Sequence, residues 1–238
     1  KRPARIGALS LGFDEALEFI LAKPAGADRM ELFRRTDERI FARAASWLAE
    51  RAADPNHQPF FLYLCPTKPH DPWIPLPEWK GKSPLGDYGS VVMQLDAQIG
   101  TLLDQLDHLG LAQNTLLIVT SDNGPEQTHR DYSKPPFEIP DDADDRIHIT
   151  ERKKRFGHDS AGGWRGAKYD AYEGGHREPF LVRWPGVVPA GCTNDRLVCL
   201  TDLLATCAAV AGAALPANGA EDSLDLMPLL RDPQAPPV

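Results

Sequence analysis

Residues 88–109 carry apolar side chains at Val91, Val92, Leu95, Ile99, Leu102, Leu103, Leu106 and Leu109. That spacing puts them on one face of a long helix. Gly110 marks a stop for it. Short apolar runs flank the helix, "FFLYL" at residues 60–64 and "TLLIVT" at 115–120, each of strand length. Strand, one-faced helix, strand is the βαβ pattern, which joins parallel strands by a right-handed crossover. Nothing else in the chain restricts the fold as strongly, and it predicts the α/β class.

The remaining elements fit around this unit. Residues 28–52 read as a helix, with Met30, Leu32, Phe33, Ile40, Phe41, Ala44 and Leu48 at helical spacing among charges. "FLVRW" at 180–184 is a third strand, and "PGVVPAG" a turn-rich connector. Residues 201–212 form an amphipathic helix with Thr201 or Asp202 as its cap. The loop "CPTKPHDPWIPLPEW" is neither helix nor central strand, because proline lacks an amide donor and fixes φ. After Pro125 regularity is lost for about forty residues, long for a structureless loop in a compact domain. Residues 126–163 therefore read as a loop insertion, and its runs "DDADD" and "RKKR" as solvated surface. The closing "RDPQAPPV" reads as linker or a cut end, and there are no internal repeats.

The net charge of −8 over 238 residues argues against general affinity for nucleic acid or an anionic membrane. It leaves room for a local basic pocket. No apolar run is long enough to span a membrane. The chain opens on Lys1 rather than Met, so it reads as a processed product or part of a longer one, and a missing leader says nothing about export. The four cysteines form no C-x-x-C pair, which disfavours zinc and thioredoxin-type readings. They read as small buried hydrophobes, with a disulfide left open.

In a parallel sheet, ligands bind beyond the carboxyl ends of the strands. "TLLIVT" runs straight into "SDNGPE", which sets Asp122 and Asn123 on that rim. The loop after "FFLYL" leaves from the same rim if the strands are parallel, and it carries His70. Asp and Asn are hard oxygen donors of the type that suits calcium or magnesium. The same "DNGP" also makes an ordinary turn without any ligand. Lys168 lies among glycines in "WRGAKYDAYEGGHREPFLVRWPG", residues 164–186, where a regular helix cannot form. It is either a point charge for an anion near a metal or a surface lysine in a flexible loop.

Together these stretches resemble the sulfatases of the alkaline-phosphatase-like superfamily. "PFFLYLCPTKPHDPW" looks like the family's strand and P-H-x-P loop. "TLLIVTSDNGPE" looks like its metal-binding S-D-N-G segment, and "RGAKYDAYEGGHREPFLVRWPG" like its R-G-x-K…E-G-G-x-R-x-P-F block. Three blocks in order, with sensible spacing, cover about residues 60–230. The resemblance implies a mostly parallel sheet flanked by helices, incomplete at its N-terminus. It implies that Asp122 and Asn123 bind a divalent cation, usually calcium. His70 would contact the sulfate or protonate the leaving oxygen, and Lys168 would bind the sulfate and neutralise the departing alkoxide. Asp122 would also orient the nucleophile. His158, in "GHDSAGGW", matches more loosely as a further substrate contact. The implied partner is a small-molecule or carbohydrate sulfate ester, on which Trp73 and Trp79 either stack or simply pack their own loop. Family habit suggests a periplasmic or secreted protein.

The chain departs from the family in two places. Tyr169 stands where the family usually has Gly, which either narrows the pocket or alters the loop. The formylglycine motif, C/S-x-P/A-x-R, is found at none of the cysteines or serines. The nucleophile and the family's paired early aspartates are therefore expected upstream of Lys1. On this reading residues 1–238 are part of a sulfatase catalytic domain, cut also before its C-terminal subdomain. Alone they would bind metal weakly and turn over no ester, because two ligands cannot fill the roughly six to eight positions of calcium. The rival readings are a phosphodiesterase or phosphonate monoester hydrolase of the same superfamily, and a non-catalytic binding module keeping relics of the site.

Overall fold

The computed structural model describes residues 13–14, 27–56, 58–125 and 156–236. The expected charged runs at 141–145 and 152–155, and most of the 126–163 insertion, lie outside these residues. The elements in order are α1 (Ala27–Ala52), α2 (Gly86–His108), a 3-10 turn (Ala112–Asn114), β1 (Leu117–Thr120), α3 (Glu173–His176), β2 (Phe180–Arg183), α4 (Asp202–Ala211) and α5 (Met227–Arg231). The chain divides into two compact units, one of residues 1–109 with 122–178 and the other of 110–121 with 179–238.

In the first unit α1 packs on α2. Met30, Phe41, Ala44 and Leu48 of α1 are buried, as are Val91 and Leu106 of α2. Fully burying a side chain such as Leu48 or Val91 contributes roughly 1.5–3 kcal/mol. The Gln105 amide adds a cross-helix bond to the Ala45 carbonyl at 2.7 Å. Both helices match the predicted spans, and α2 ends where Gly110 takes a φ of 70°. The buried face of α2 is more polar than its apolar spacing implies, because Ser90 and Gln94 are fully enclosed while Val92 and Met93 are exposed. Gln94 is used: its Oε1 accepts the Leu76 amide at 3.0 Å.

Asp37 has an equivalent use on α1. It sits on the buried face with none of its side chain exposed, and its oxygens accept the amide and hydroxyl of Thr67 at 2.7 and 2.8 Å and the amide of Lys68 at 2.9 Å. Lys68 Nζ lies 3.6 Å from the same carboxylate and donates to the Arg34 carbonyl at 3.2 Å. Burial pushes the Lys68 ammonium down, and Asp37 opposes that shift. Ile74 and Leu76, both buried, pin the far side of the proline-rich loop. The loop that carries His70 is thus held at both ends by groups reaching out from the helices.

The second unit contains the one strand pairing among the described residues. β1 and β2 are antiparallel, with Leu117 opposite Arg183 and Thr120 opposite Phe180. The mostly parallel sheet expected from sequence is not seen among the described residues, whose one pairing is this one. Residues 60–64, expected as a strand, are a correction. They alternate between half-buried and exposed, as an extended chain does, but join no ladder among the described residues, and Phe61 and Tyr63 are exposed. Extended geometry follows from the local preference of their aromatic residues, whereas a ladder needs a neighbour. The predicted helix cap also differs. Neither Thr201 nor Asp202 caps the start of α4 from its side chain. Thr201 bonds the Asp222 carbonyl, and buried Asp202 accepts the amides of Cys199 at 2.8 Å and Leu224 at 2.9 Å. Nor are the cysteines buried or paired: Cys65, Cys192 and Cys199 are exposed, Cys207 is half-buried, and all four are free.

Replacing Asp37 leaves a buried ammonium and two backbone amides without their acceptor. Asp37→Ala is expected to destabilise the protein by about 3–5 kcal/mol, and Asp37→Ala with Lys68→Met to recover part of that loss by removing the orphaned charge. Urea unfolding of the two variants checks this; a loss under about 1 kcal/mol for the single variant contradicts the role given to Asp37.

Candidate functional site

The antiparallel register makes the chain leave β1 and enter β2 at the same end of the ladder, since Thr120 faces Phe180. In the first unit, the segment that follows β1 in the chain and the block that precedes β2 are joined to each other. The Gly124 amide donates to the Gly175 carbonyl, and the Lys168 amide to the Pro125 carbonyl, both at 2.9 Å. Contact this close needs glycine at position 124, and the opposing block needs its own glycines to fold back on itself. A Cβ on Gly124 would overlap the Gly174 carbonyl, and one on Gly175 would overlap the carbonyls of Asp170 and Ala167. The glycines of "DNGP" and "EGG" are thereby explained as backbone packing rather than flexibility. The Gly174 amide closes the block on itself through the Arg165 carbonyl at 2.8 Å, and the Arg165 guanidinium lies 3.8 Å from the Tyr172 ring centre.

Lys168 projects from a turn closed by the Asp170 amide on the Ala167 carbonyl at 2.8 Å, with Asp170 Oδ2 accepting the Ala167 amide at 3.0 Å. Its Nζ lies 3.4 Å from Nε2 of His70, a residue 98 positions earlier in the chain. The structure therefore brings together the two cationic residues singled out from sequence. His70 Nδ1 approaches both the backbone carbonyl of Asp71, at 2.6 Å, and its Oδ1, at 2.7 Å. Both are acceptors, so Nδ1 carries a proton. Nε2 is left facing a lysine that can only donate. The hydrogen bond to the Asp71 side chain, resisted by burial and by the Lys168 charge, raises the His70 pKa above its ordinary value.

Asp122 is exposed on the same segment, and Asn123 donates its amide nitrogen to the Gly124 carbonyl at 3.0 Å, which distinguishes that end from its donor oxygen. The Tyr63 phenol is pushed up by Cys65 beside it, by burial and, least, by the Asp122 charge, so residues 60–65 run close to the Asp-Asn pair. The two hard oxygens suit a cation such as calcium. Among the described residues no group of three or more His, Cys, Asp or Glu forms a metal cluster. Asp122 and Asn123 would fill two positions of a larger coordination shell.

His158 connects to the His70 loop through a file of rings. Its ring centre lies 5.7 Å from Tyr88, and Tyr88 meets Trp73 edge-on at 5.4 Å. Trp73 Nε1 donates to the Pro69 carbonyl at 2.8 Å, so this indole is tied to its own loop. The His158 Nε2 is enclosed without a hydrogen-bond partner among the described residues. Sequence reasoning passed over Asp37, Gln94 and Asp71, which hold the loop and its imidazole. A carboxylate at heptad spacing from Met30, Ala44 and their neighbours was the signal available for Asp37.

Tyr169 follows Lys168 with a φ of 77°. That is the left-handed region, which costs a non-glycine residue about 1–3 kcal/mol. Glycine suits this third position of the turn, which accounts for the usual residue of the family there. The ring is 77% exposed, and Lys168 Nζ lies 5.4 Å from its centre.

An imidazole and an ammonium meeting at 3.4 Å, on a block bonded to the segment that bears two hard oxygen donors, suit an oxyanion held near a cation. The chain belongs to the sulfatase family, whose profile matches residues 5–213. It is 40% identical over 168 residues to an N-acetylgalactosamine-6-O-sulfatase of Bacteroides thetaiotaomicron, covering 71% of this chain and 30% of that relative. It is 38% identical over 191 residues to human arylsulfatase A, covering 79% and 32%. A solved structure described under the metabolism of multiple glycosaminoglycans by Bacteroides thetaiotaomicron matches with TM-score 0.68 and 35% identity, over 83% of this chain and 37% of that one. Ps i-CgsB in complex with k-i-k-neocarrahexaose matches with TM-score 0.61 and 26% identity, over 81% and 37%. The chain thus spans about a third of the length of the curated relatives it matches.

Two outcomes follow from this geometry. Gly124→Ala is expected to force the Asp122–Pro125 segment off the Gly174–Gly175 backbone at a cost of about 1–3 kcal/mol, read as a lower unfolding midpoint. Because the folded-state pKa of His70 is raised, its contribution to stability is complete below its unfolded value of about 6.5 and is lost as pH rises through the folded value. The gap in melting temperature between wild type and His70→Gln should be widest below that lower value and close above the upper one. A gap that widens with rising pH contradicts the assignment.

Proposed function

We propose that the whole protein hydrolyses sulfate esters of carbohydrates, and that this chain supplies the leaving-group side of its active site. The observation that carries the reading is the 3.4 Å approach of Lys168 and His70, with "DNGP" bonded to the block that bears the lysine. Lys168 places its charge on the sulfate and on the oxygen that becomes an alkoxide. His70 holds its Nδ1 proton on Asp71 and delivers the Nε2 proton to the same oxygen. Its raised pKa keeps that second proton available nearer neutrality than for an ordinary histidine. His158 is assigned as a further substrate contact on its place in the file of rings that reaches the His70 loop through Tyr88 and Trp73. Asp122 and Asn123 would hold a divalent cation, calcium by their donor chemistry, and when bound it polarises the sulfate.

Residues 1–238 form part of the catalytic domain in this reading. The complete sheet is mostly parallel, and residues 126–163 are a long loop insertion. Support comes from the family match over residues 5–213 and from the carbohydrate complex among the structural relatives.

The test is hydrolysis of N-acetylgalactosamine 6-sulfate and the matching 6-phosphate by the full-length protein. Turnover of the sulfate is expected to exceed that of the phosphate. Lys168→Ala should lower kcat/KM by about 10²–10³-fold, and Asp122→Ala should abolish the heat of calcium binding. Preference for the phosphate, or a Lys168→Ala protein as active as wild type, overturns the proposal. A full-length protein that neither binds calcium nor cleaves either ester favours the relic binding module.

A further inference from the structure

Tyr169 occupies a backbone conformation that glycine adopts without strain, and its side chain gains no burial in return. The turn leaves it no alternative. The Lys168 amide is held by Pro125, the Asp170 amide by Ala167, and the Ala167 amide by the Asp170 carboxylate. A strained residue persists only where its surroundings over-determine it, and such residues gather at sites that use them. The ring is exposed, and it stands next to the ammonium that would bind the sulfate, 5.4 Å from ring centre to Nζ.

We infer that Tyr169 is a specificity residue: its ring is a platform at the rim of the site against which the pyranose ring bearing the sulfate packs its C–H face. This rests on the sulfatase reading above. An ester whose sulfate contacts Lys168 carries its first carbon one oxygen beyond the sulfur, which brings the alcohol within reach of a ring 5.4 Å from that nitrogen. A rigid flat surface favours a cyclic alcohol over an open chain, because the cyclic one has little freedom left to lose. A tyrosine offers such a face with a polar tip for a sugar hydroxyl.

The experiment compares two primary alkyl sulfates with similar leaving oxygens, galactose 6-sulfate and 2-methoxyethyl sulfate, on the full-length protein. Tyr169→Gly should lower the ratio of kcat/KM for the sugar over the open-chain ester by roughly tenfold, equivalent to about 1.4 kcal/mol. Tyr169→Phe should preserve most of the ratio. Tyr169→Gly should also melt at a higher temperature, since the strain is relieved, which excludes misfolding as the cause. Binding of the non-hydrolysable sulfonate analogue of galactose 6-sulfate, with CH2 in place of the ester oxygen and followed by calorimetry, gives a readout free of turnover, and Tyr169→Gly should weaken it to a similar degree. An unchanged ratio and unchanged affinity overturn the platform and leave the sulfatase reading intact. Normal binding without turnover of either ester overturns the sulfatase reading and leaves the platform intact. Absence of binding overturns both.

Discussion

The site depends on two stretches of backbone touching where most proteins would place side chains between them. Gly124 lies against Gly174 and Gly175, and a single added methyl on either strand of that contact meets a carbonyl. Two main-chain hydrogen bonds then lock the Asp-Asn segment to the turn bearing Lys168. Because main-chain atoms make the join, it has none of the rotamer freedom a side-chain contact would carry. The oxygen donors and the ammonium therefore share one rigid base even though the elements that carry them are short.

The third part of the site is positioned by different means. The His70 loop is rich in proline and has few amides to donate, so it cannot hold itself in place by secondary structure. Asp37 and Gln94 supply acceptors from inside the helix pair, and Ile74 and Leu76 supply apolar anchors. Burying a carboxylate is costly unless its oxygens are satisfied. Asp37 meets that condition with two amides, a hydroxyl and the Lys68 ammonium. The polar residues of α1 and α2 that look like flaws in an apolar face are the means by which the imidazole is aimed.

This explains what could be read in advance. Both long helices and the strands at 117–120 and 180–183 were legible, because apolar spacing and turn chemistry are local properties; the meeting of His70 with Lys168, 98 positions apart, was implied only by the resemblance of the three blocks to a family. The direction of pairing was not. Residues 117–120 would look the same beside a parallel or an antiparallel neighbour, and residues 60–64 show that an apolar run can be extended without joining a ladder among the described residues. Thr201 and Asp202 were misread for a related reason. A side chain that can cap its own helix can also bond residues some twenty positions away, and only the tertiary fold decides between them. The meeting of the His70 loop with the Asp-Asn segment was anticipated from parallel pairing of residues 60–64 with 115–120, a ladder that does not form among the described residues.

The electrostatics of the pair give the proposed chemistry its direction. His70 is drawn toward protonation by Asp71 and pushed away from it by Lys168. With both groups protonated, two cations face each other across 3.4 Å with only donors between them. An oxyanion placed there accepts from both and removes the repulsion, so binding it must favour the imidazolium, and the imidazolium must favour binding by the same factor. In the proposed reaction the proton that a departing alkoxide needs would be loaded by the arrival of the ester that consumes it. Asp71 keeps the ring turned so that Nε2 faces Lys168, and Tyr169 stands beside the same ammonium.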